Sequence, residues 1–348
     1  MKLAITGLPQ SGKSTIFYAL TGARGEDKAP KASHAEQTIG TVRVADKRLG
    51  LLEKIYSPKK TTYAQVEYLL PSKLSAGTPS KSENMFWNQV RVGDALIHVI
   101  RNFQPPGGML PTPESDYWRL EEEMILNDLM VSEKRLERIE LDKKRGKKPD
   151  EEEEALLKSC LKLLEENRPI RSDGELAKAP GLRGFAFLSA KPQLIIINND
   201  DEDESLPAWK SGPEVSQTLV VRGRLEMEIA SMAPEEAEEF RVAYHIEKSA
   251  LDRVIGSSYK ALRCISFFTV INEEVRAWTI TEGAPALEAA GTVHSDMKKG
   301  FIRAEVLSFD NLEKHGSFQE AKKAGVVRLE GKEYTVQDGD IIQFRFNI

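Results

Sequence analysis

The residues of this chain best suited to chemistry stand at its beginning, in the run Leu3-Ala4-Ile5-Thr6-Gly7-Leu8-Pro9-Gln10-Ser11-Gly12-Lys13-Ser14-Thr15. Glycines at 7 and 12 let a loop curl until successive backbone N–H groups point at one centre. A lysine directly after the second glycine reaches β- and γ-phosphates, and the next hydroxyl is placed for Mg²⁺. Leu3-Ala4-Ile5 reads as a strand entering the loop. Thr15 to Leu20 reads as a helix leaving it, with its positive end completing an anion site. The spacing therefore predicts a P-loop in which Pro9, Gln10, Ser11, Gly12, Lys13, Ser14 and Thr15 hold phosphate and Ser14 also meets the metal. The bland alternative is a plain strand-turn-helix corner, and the flanking elements argue against it.

Elements able to position such a loop follow in order. Thr41 to Val44 reads as a strand, Lys47 to Tyr56 as a helix, Tyr63 to Leu70 as a strand and Pro71 to Asn84 as a polar loop. A helix and the apolar strand Ala95 to Ile100 come next. Gly184 to Leu188, Pro192 to Asn198 and Thr218 to Val221 resume the strand pattern, with helices at Leu225 to Met232 and Pro234 to Phe240. Strands alternating with helices predict an α/β, doubly wound parallel sheet. Between its halves, Ile125, Leu129, Leu136 and Ile139, then Leu157, Leu161 and Leu164, recur at helical spacing around the basic break Lys144-Arg145-Gly146-Lys147-Lys148-Pro149. Two antiparallel helices fit this pattern, their charges solvating a thin hairpin or offering a basic tip to RNA or protein.

Past Ile265 the texture changes to short strands, Val275 to Ile280, Phe301 to Val306, Glu333 to Val336 and Ile341 to Phe346, with turns at Gly331-Lys332 and Asp338-Gly339. A separate small α+β domain is expected, with Trp278, Phe301 and Ile302 in its core and His294 and Asp296 fixing a turn. The expected boundaries are 1–116 and 171–264 for the two parts of the α/β domain, 117–170 for the hairpin and 265–348 for the last domain.

Bulk properties restrict the partners. A formal net charge of -5 gives no global attraction to nucleic acid, so an RNA contact needs a local patch. Two cysteines without ligand spacing suggest neither a disulfide framework nor a zinc site. A core strand beginning almost at once and the lack of long apolar runs predict no signal peptide and no membrane span. The expectation is a cytoplasmic monomer.

These residues resemble the YchF family, the Obg-like ATPases, over nearly the whole chain. The tail carries the most specific match: Glu274 to Ile280, Ala289 to Asp296, Lys299 to Val306 and Val336 to Asp340 look like that family's TGS signature. Glu122 to Leu129 and Asp94 to Phe103 also look familial. The resemblance implies a P-loop NTPase with an inserted coiled-coil hairpin and a C-terminal, β-grasp-like TGS domain. It also implies ATP or GTP with Mg²⁺, and a ribosome or RNA partner met through the TGS domain and the hairpin.

The departures from the family fall on the hydrolytic parts. An Asp-x-x-Gly switch is expected after the third strand, where Val66-Glu67-Tyr68-Leu69-Leu70-Pro71 puts Glu67 for the acid and Leu70 for the glycine. Glu67 is the candidate for a metal-bound water, the alternative being a strand residue in an ion pair. Gln104 to Met109 lacks the histidine that family members carry before the hairpin, so no catalytic base is assigned. Thr38 is the candidate Mg²⁺-sensing threonine, with His34 taking its place in an ungapped alignment and an ordinary loop threonine as the plain reading. For the base, one register gives Asn198-Asn199-Asp200-Asp201 and a shift of one gives Asn199 to Glu202. Asn198 and Asp201 are the assigned pair, and the missing lysine of the guanine pattern tilts the reading toward ATP. Arg222-Gly223 stands where Ser-Ala is usual. Three functions follow: a slow regulatory NTPase, a nucleotide-binding adaptor without efficient hydrolysis, and a scaffold in which nucleotide is structural.

Overall fold

The computed structural model describes residues 1–22, 37–72, 79–212, 218–243, 246, 249–271 and 273–347. The chain divides into two compact units, Met1–Gly40 with Glu67–Val254, and Thr41–Val66 with Ile255–Ile348. The sequence expectation kept 41–66 with the first α/β part. By its contacts this segment packs with the C-terminal residues.

Along the chain come β1 (Lys2–Thr6), α1 (Lys13–Thr21), β2 (Thr38–Arg43), α2 (Lys47–Tyr56), β3 (Lys60–Thr62), β4 (Gln65–Leu70), α3 (Pro79–Arg91) and β5 (Ala95–Asn102). The long helices α4 (Pro113–Lys144) and α5 (Glu151–Glu165) precede β6 (Gln193–Asn199), β7 (Thr218–Val221), α6 (Gly223–Ser231), α7 (Pro234–Ala243) and α8 (Ala250–Ala261). The first sheet has the order β2-β4-β1-β5-β6-β7, and the pairs β4/β1, β1/β5, β5/β6 and β6/β7 are parallel. Both faces of such a sheet are covered, which is why β6 is buried along its whole length and its sequence does not alternate. Parallel strands share one carboxyl end, so Thr6, Asn102, Asn199 and Val221 open toward the same side, where doubly wound sheets bind ligands.

The hairpin is as expected. Ile125, Ile139, Leu157, Cys160 and Leu164 form its apolar seam. Asp150 caps α5 by accepting from the N–H groups of Glu152 and Glu153, both at 3.1 Å. Arg135 pairs with Glu153 at 2.7 Å across the two helices.

Its root is tied to the sheet by buried polar groups. The Asp128 carboxylate accepts from the Leu188 and Ser189 N–H groups at 3.0 and 2.7 Å and from Arg91 at 3.3 Å. Gln193 Nε2 donates to Glu121 at 2.9 Å and faces His98 Nδ1 at 3.3 Å, while Arg171 also pairs with Glu121. Asp128 explains one departure from the expected strands. Gly184 to Leu188 forms no strand, because Pro180–Phe185 winds as a 3-10 turn, Ala186 sits at φ 48°, and the Leu188 and Ser189 N–H groups go to the Asp128 side chain. A second departure is α3, which starts at Pro79, inside the expected loop.

The other unit holds β8 (Cys264–Ile271), β9 (Glu274–Thr281), α9 (Ala286–Val293), α10 (Ser295–Lys299), β10 (Phe301–Leu307), α11 (Phe309–His315), α12 (Phe318–Lys323), β11 (Arg328–Glu330) and β12 (Ile341–Phe346). Its sheet runs β11-β10-β12-β8-β9-β3, with β3 parallel to β9, which is what draws residues 41–66 into this unit. Glu333 to Val336 makes only a single bridge, Thr335 to Pro285, in place of the expected strand. Phe301 is buried and Trp278 packs against the core, but Ile302 is 56% exposed, at the irregularity in the β10/β12 ladder between Phe301 and Arg303. His294 Nδ1 accepts from the Asp296 N–H at 3.2 Å and caps α10, the turn-fixing role expected of this pair. Among the described residues no helix is long and apolar enough to cross a membrane.

Two predictions follow from the hairpin root. Asp128→Ala strands two buried N–H groups and an arginine and is expected to cost about 3 to 5 kcal/mol in urea unfolding. Burial brings the His98 imidazole from 6.5 down to about 3, so the unfolded chain binds a proton that the folded one refuses. Stability is therefore expected to fall as pH drops from 6.5 toward 3. His98→Gln should flatten that limb when unfolding is compared at pH 7 and pH 5.

Candidate phosphate-binding site

The loop after β1 takes the shape that its glycines permit. Gly7 stands at φ 150°, and a Cβ there would lie 2.3 Å from the Val99 carbonyl oxygen. Gly12 stands at φ 91°, and its Cβ would lie 2.1 Å from Asn198 Nδ2. Neither position accepts a side chain. Gln10, at φ 64°, takes the left-handed turn between them. Pro9 and Gln10 are exposed, Ser11 is buried, and Lys13, Ser14 and Thr15 open α1 half-buried.

The charge arrangement suits an anion. Helix α1 begins without a side-chain cap and with no acidic residue in its first turn, so its positive end is unanswered. Lys13 Nζ donates to the carbonyls of Gly7 and Leu8 at 2.7 and 2.8 Å. Neutral carbonyls do not offset the cost of burying an ammonium, and its pKa falls from 10.5 to about 8. Thr6 Oγ1 and Ser11 Oγ are buried without a hydrogen-bond partner among the described residues. Such orphaned polar atoms beside an uncapped helix are those of a site built for a polar ligand.

Asn198 binds this loop to the far side of the sheet. Its Nδ2 donates to the Ser11 carbonyl at 3.0 Å, and its Oδ1 accepts from the Gly223 N–H at 3.0 Å. Asp201 reaches the same turn, with Oδ1 accepting from the Leu225 N–H at 3.2 Å and Oδ2 standing 3.8 Å from Arg224 Nε. Asn199 points elsewhere, donating to the Asp203 and Ser205 carbonyls at 3.0 and 2.8 Å and accepting from Asn102 at 2.9 Å. Glu202 is exposed. Of the two registers open in the sequence, the one pairing Asn198 with Asp201 is the one whose members converge.

The metal candidates separate. Ser14 stands at the mouth of the loop, its hydroxyl making no hydrogen bond among the described residues. Thr38 opens β2, half-buried, while His34 lies outside the described residues. Glu67 is corrected. In the ladder it faces Lys2, at the amino end of β1, and pairs with the Lys2 ammonium at 3.6 Å. Lys2 to Thr6 at ~3.3 Å per residue puts Glu67 ~13 Å from the cradle, beyond reach of a metal there. The strand's carboxyl end carries Leu70 and Pro71 instead. Among the described residues no group of three His, Cys, Asp or Glu side chains could hold a metal.

Two neighbours carried no sequence signal of their role. Gly223 is needed because a Cβ there would lie 2.6 Å from Asn198 Oδ1, and the Phe103 ring stands 4.0 Å from the Cβ position of Gly12. Gly12→Ala is expected to force Asn198 out and abolish triphosphate binding. Asn198→Ala should weaken binding at least about tenfold and cost about 1 to 3 kcal/mol of stability, since it leaves a buried carbonyl and N–H unpaired. Calorimetry and urea unfolding check both.

Residues 264–347 match the family model YchF-GTPase_C, described as a protein of unknown function (DUF933). The Ribosome-binding ATPase YchF of Bacillus subtilis is 35% identical, over 99% of this chain and 98% of that protein. Its Escherichia coli O157:H7 counterpart is 36% identical, over 100% and 99%. The solved Schizosaccharomyces pombe YchF GTPase superposes with a TM-score of 0.80 at 26% identity, covering 99% of this chain and 97% of that one. With relatives above 30% identity along its full length and a matching fold, the chain belongs to the YchF family of P-loop nucleotide-binding proteins.

Proposed function

We propose that this chain binds a purine nucleoside triphosphate with Mg²⁺ in the loop of residues 7–15 and acts in the cytoplasm as a slow regulatory NTPase. Its nucleotide state sets how the hairpin and the C-terminal domain are presented to a ribosome or RNA partner. The observation carrying this is Lys13, a half-buried ammonium that, among the described residues, donates to the loop carbonyls of Gly7 and Leu8 at the open end of a parallel sheet. The names of the relatives, ribosome-binding ATPases, supply the partner and the reaction class.

In this reading Gln10 to Thr15 present backbone N–H groups to the phosphates, with Pro9 shaping the loop's outer turn. Lys13 exchanges its carbonyl contacts for phosphate oxygens and stabilises the charge that gathers on them in transfer. Asn198 holds the loop in place and Asp201 stands at the base. The Ser14 hydroxyl, with Thr38 as the second candidate, would hold Mg²⁺, which neutralises phosphate charge when bound. The chain acts as a monomer, with nucleotide-binding segments 1–116 and 171–264 apart from residues 41–66, which pack with the C-terminal residues, a hairpin at 117–170 and a TGS domain at 265–348.

An adaptor that binds without efficient hydrolysis is the second reading. Leu70 and Pro71 favour it, since the carboxyl end of β4 offers neither a carboxylate for metal-bound water nor, at Pro71, an N–H for a γ-phosphate.

Single-turnover assays with radiolabelled ATP and GTP separate the two. Slow release of phosphate that vanishes in Lys13→Ala supports the NTPase. Lys13-dependent binding without release supports the adaptor. Binding also carries a proton signature, because phosphate restores the ammonium that burial weakens to about 8. Calorimetry at pH 9 in buffers of different ionisation heat is expected to show proton uptake on binding, absent at pH 6.5 and in Lys13→Ala. Ribosome co-sedimentation at low and high salt tests the partner, and failure to pellet at low salt counts against it.

A further inference from the structure

Residues 200–212 leave the end of β6, beside the phosphate loop, and finish against the first turns of α4. At the near end two consecutive asparagines divide the work. Asn198 ties the Ser11 carbonyl to the Gly223 N–H. Asn199 faces the other way, because successive strand residues alternate, and donates to the Asp203 and Ser205 carbonyls at 3.0 and 2.8 Å while accepting from Asn102 of β5. Arg222, the neighbour of Gly223, also grips the segment, donating to the Asp201 carbonyl at 3.3 Å and pairing with Glu204 at 2.8 Å. Each residue that braces the phosphate loop thus has a chain neighbour that holds the root of this segment.

The far end is fastened to the hairpin. Glu114, in the first turn of α4, accepts from the Ser211 and Lys210 N–H groups at 2.8 and 3.2 Å and from Ser211 Oγ at 3.1 Å. The Ser211 N–H, then that of Lys210, draws the Glu114 carboxyl below its ordinary range. Trp118 Nε1 donates to the Ser211 carbonyl at 3.1 Å, and Trp209 sets its ring edge-on to Tyr117 with centroids 6.0 Å apart. Among the described residues, Leu206-Pro207-Ala208 between the two ends make no hydrogen bond. The fastening bonds lie at the surface, where water replaces either partner at small cost, so this end can open without unfolding the sheet.

We propose that residues 200–212 form a strap fastened at Glu114, which nucleotide binding tightens and through which the phosphate loop biases the first turns of the hairpin. The proposal rests on the nucleotide reading above and supplies its route. A ligand that fixes the loops of Ser11 and Gly223 narrows the positions open to Asn199 and Arg222, and the far end then leaves Glu114 less often.

Hydrogen exchange of the full chain, followed by mass spectrometry in peptides covering 206–212 and 113–125, tests this with Mg·AMP-PNP and Mg·GMP-PNP. The Lys210 and Ser211 N–H groups report the fastening directly. Saturating nucleotide is expected to slow exchange in both peptides at least about fivefold in wild type, the lower end of ordinary coupling between sites. In Glu114→Ala and Trp209→Ala the response of 113–125 should vanish while binding persists, weakened by no more than the factor by which nucleotide tightens the strap, as reciprocity requires. Where Glu114→Ala frays the helix by itself, Trp209→Ala, which leaves α4 unaltered, carries the test. Exchange that is unchanged or faster in nucleotide-bound wild type overturns the proposal, and so does a response of 113–125 that survives both substitutions. Either result leaves the phosphate site standing if binding is lost in Lys13→Ala. Absence of any Lys13-dependent binding removes the phosphate site and the strap together.

Discussion

One side chain joins the two halves of the candidate site. The Asn198 amide carries a donor and an acceptor on opposite corners, and each finds a main-chain partner on a different loop, Ser11 and Gly223. The amide is 3% exposed, so neither partner has water as an alternative. Both approaches are so close that glycine is imposed at 12 and 223, where a Cβ would intrude to 2.1 and 2.6 Å of the amide. The phosphate loop after β1 and the turn after β7 thus share one reference point at the end of β6. A ligand long enough to span them meets a preformed distance and need not create it.

The hairpin depends on buried polar chemistry of another kind. Glu121 and Asp128 on α4 are almost fully buried, an arrangement that costs solvation for each charge. Hydrogen bonds offset only part of that cost, and burial still holds both carboxyls above their ordinary pKa. Asp128 takes two N–H groups and an arginine, and Glu121 takes Arg171 and Gln193. Apolar packing alone would leave the rotation of a long helix loosely specified, whereas these directional bonds accept one orientation. The same root holds His98 neutral, stacked on Tyr117 with ring centroids 5.6 Å apart.

Much of this was legible in the sequence because the signals are local. The cradle needs two glycines, a lysine and a serine at fixed offsets, and the hairpin needs a helical repeat broken once. What escaped was set by distant partners. Residues 184–188 have strand-like composition, yet Asp128, far away in sequence, takes the N–H groups that a neighbouring strand would need. The short β3 has no strong signal of its own and becomes a strand by adding to β9. Ambiguity between Asn198 and Asn199 could not be settled by composition, since the two are identical in chemistry and differ only in which way the end of β6 turns them. Glu67 failed for a related reason. Its type suits a metal-bound water, but strand register places it at the wrong end of β4.

The condition of β4 bears on how a bound nucleotide makes itself felt. Holding phosphate and sensing its last group are physically separate tasks: the first uses loop N–H groups and an ammonium, the second needs a segment that changes partner when the γ-phosphate leaves. Here the loop of residues 7–15 keeps the residue types that the first task uses. At the carboxyl end of β4, Leu70 and Pro71 bring no carboxylate, and Pro71 brings no N–H. Lys13 can take two sets of partners. The Gly7 and Leu8 carbonyls hold it here, and a phosphate in the loop would compete with them for it. Gly7 is also the residue pressed against the Val99 carbonyl of β5, and β5 runs on to Phe103 and the segment leading into the hairpin. A phosphate that competes for Lys13 acts first on these two carbonyls, one of which belongs to the residue packed beside β5.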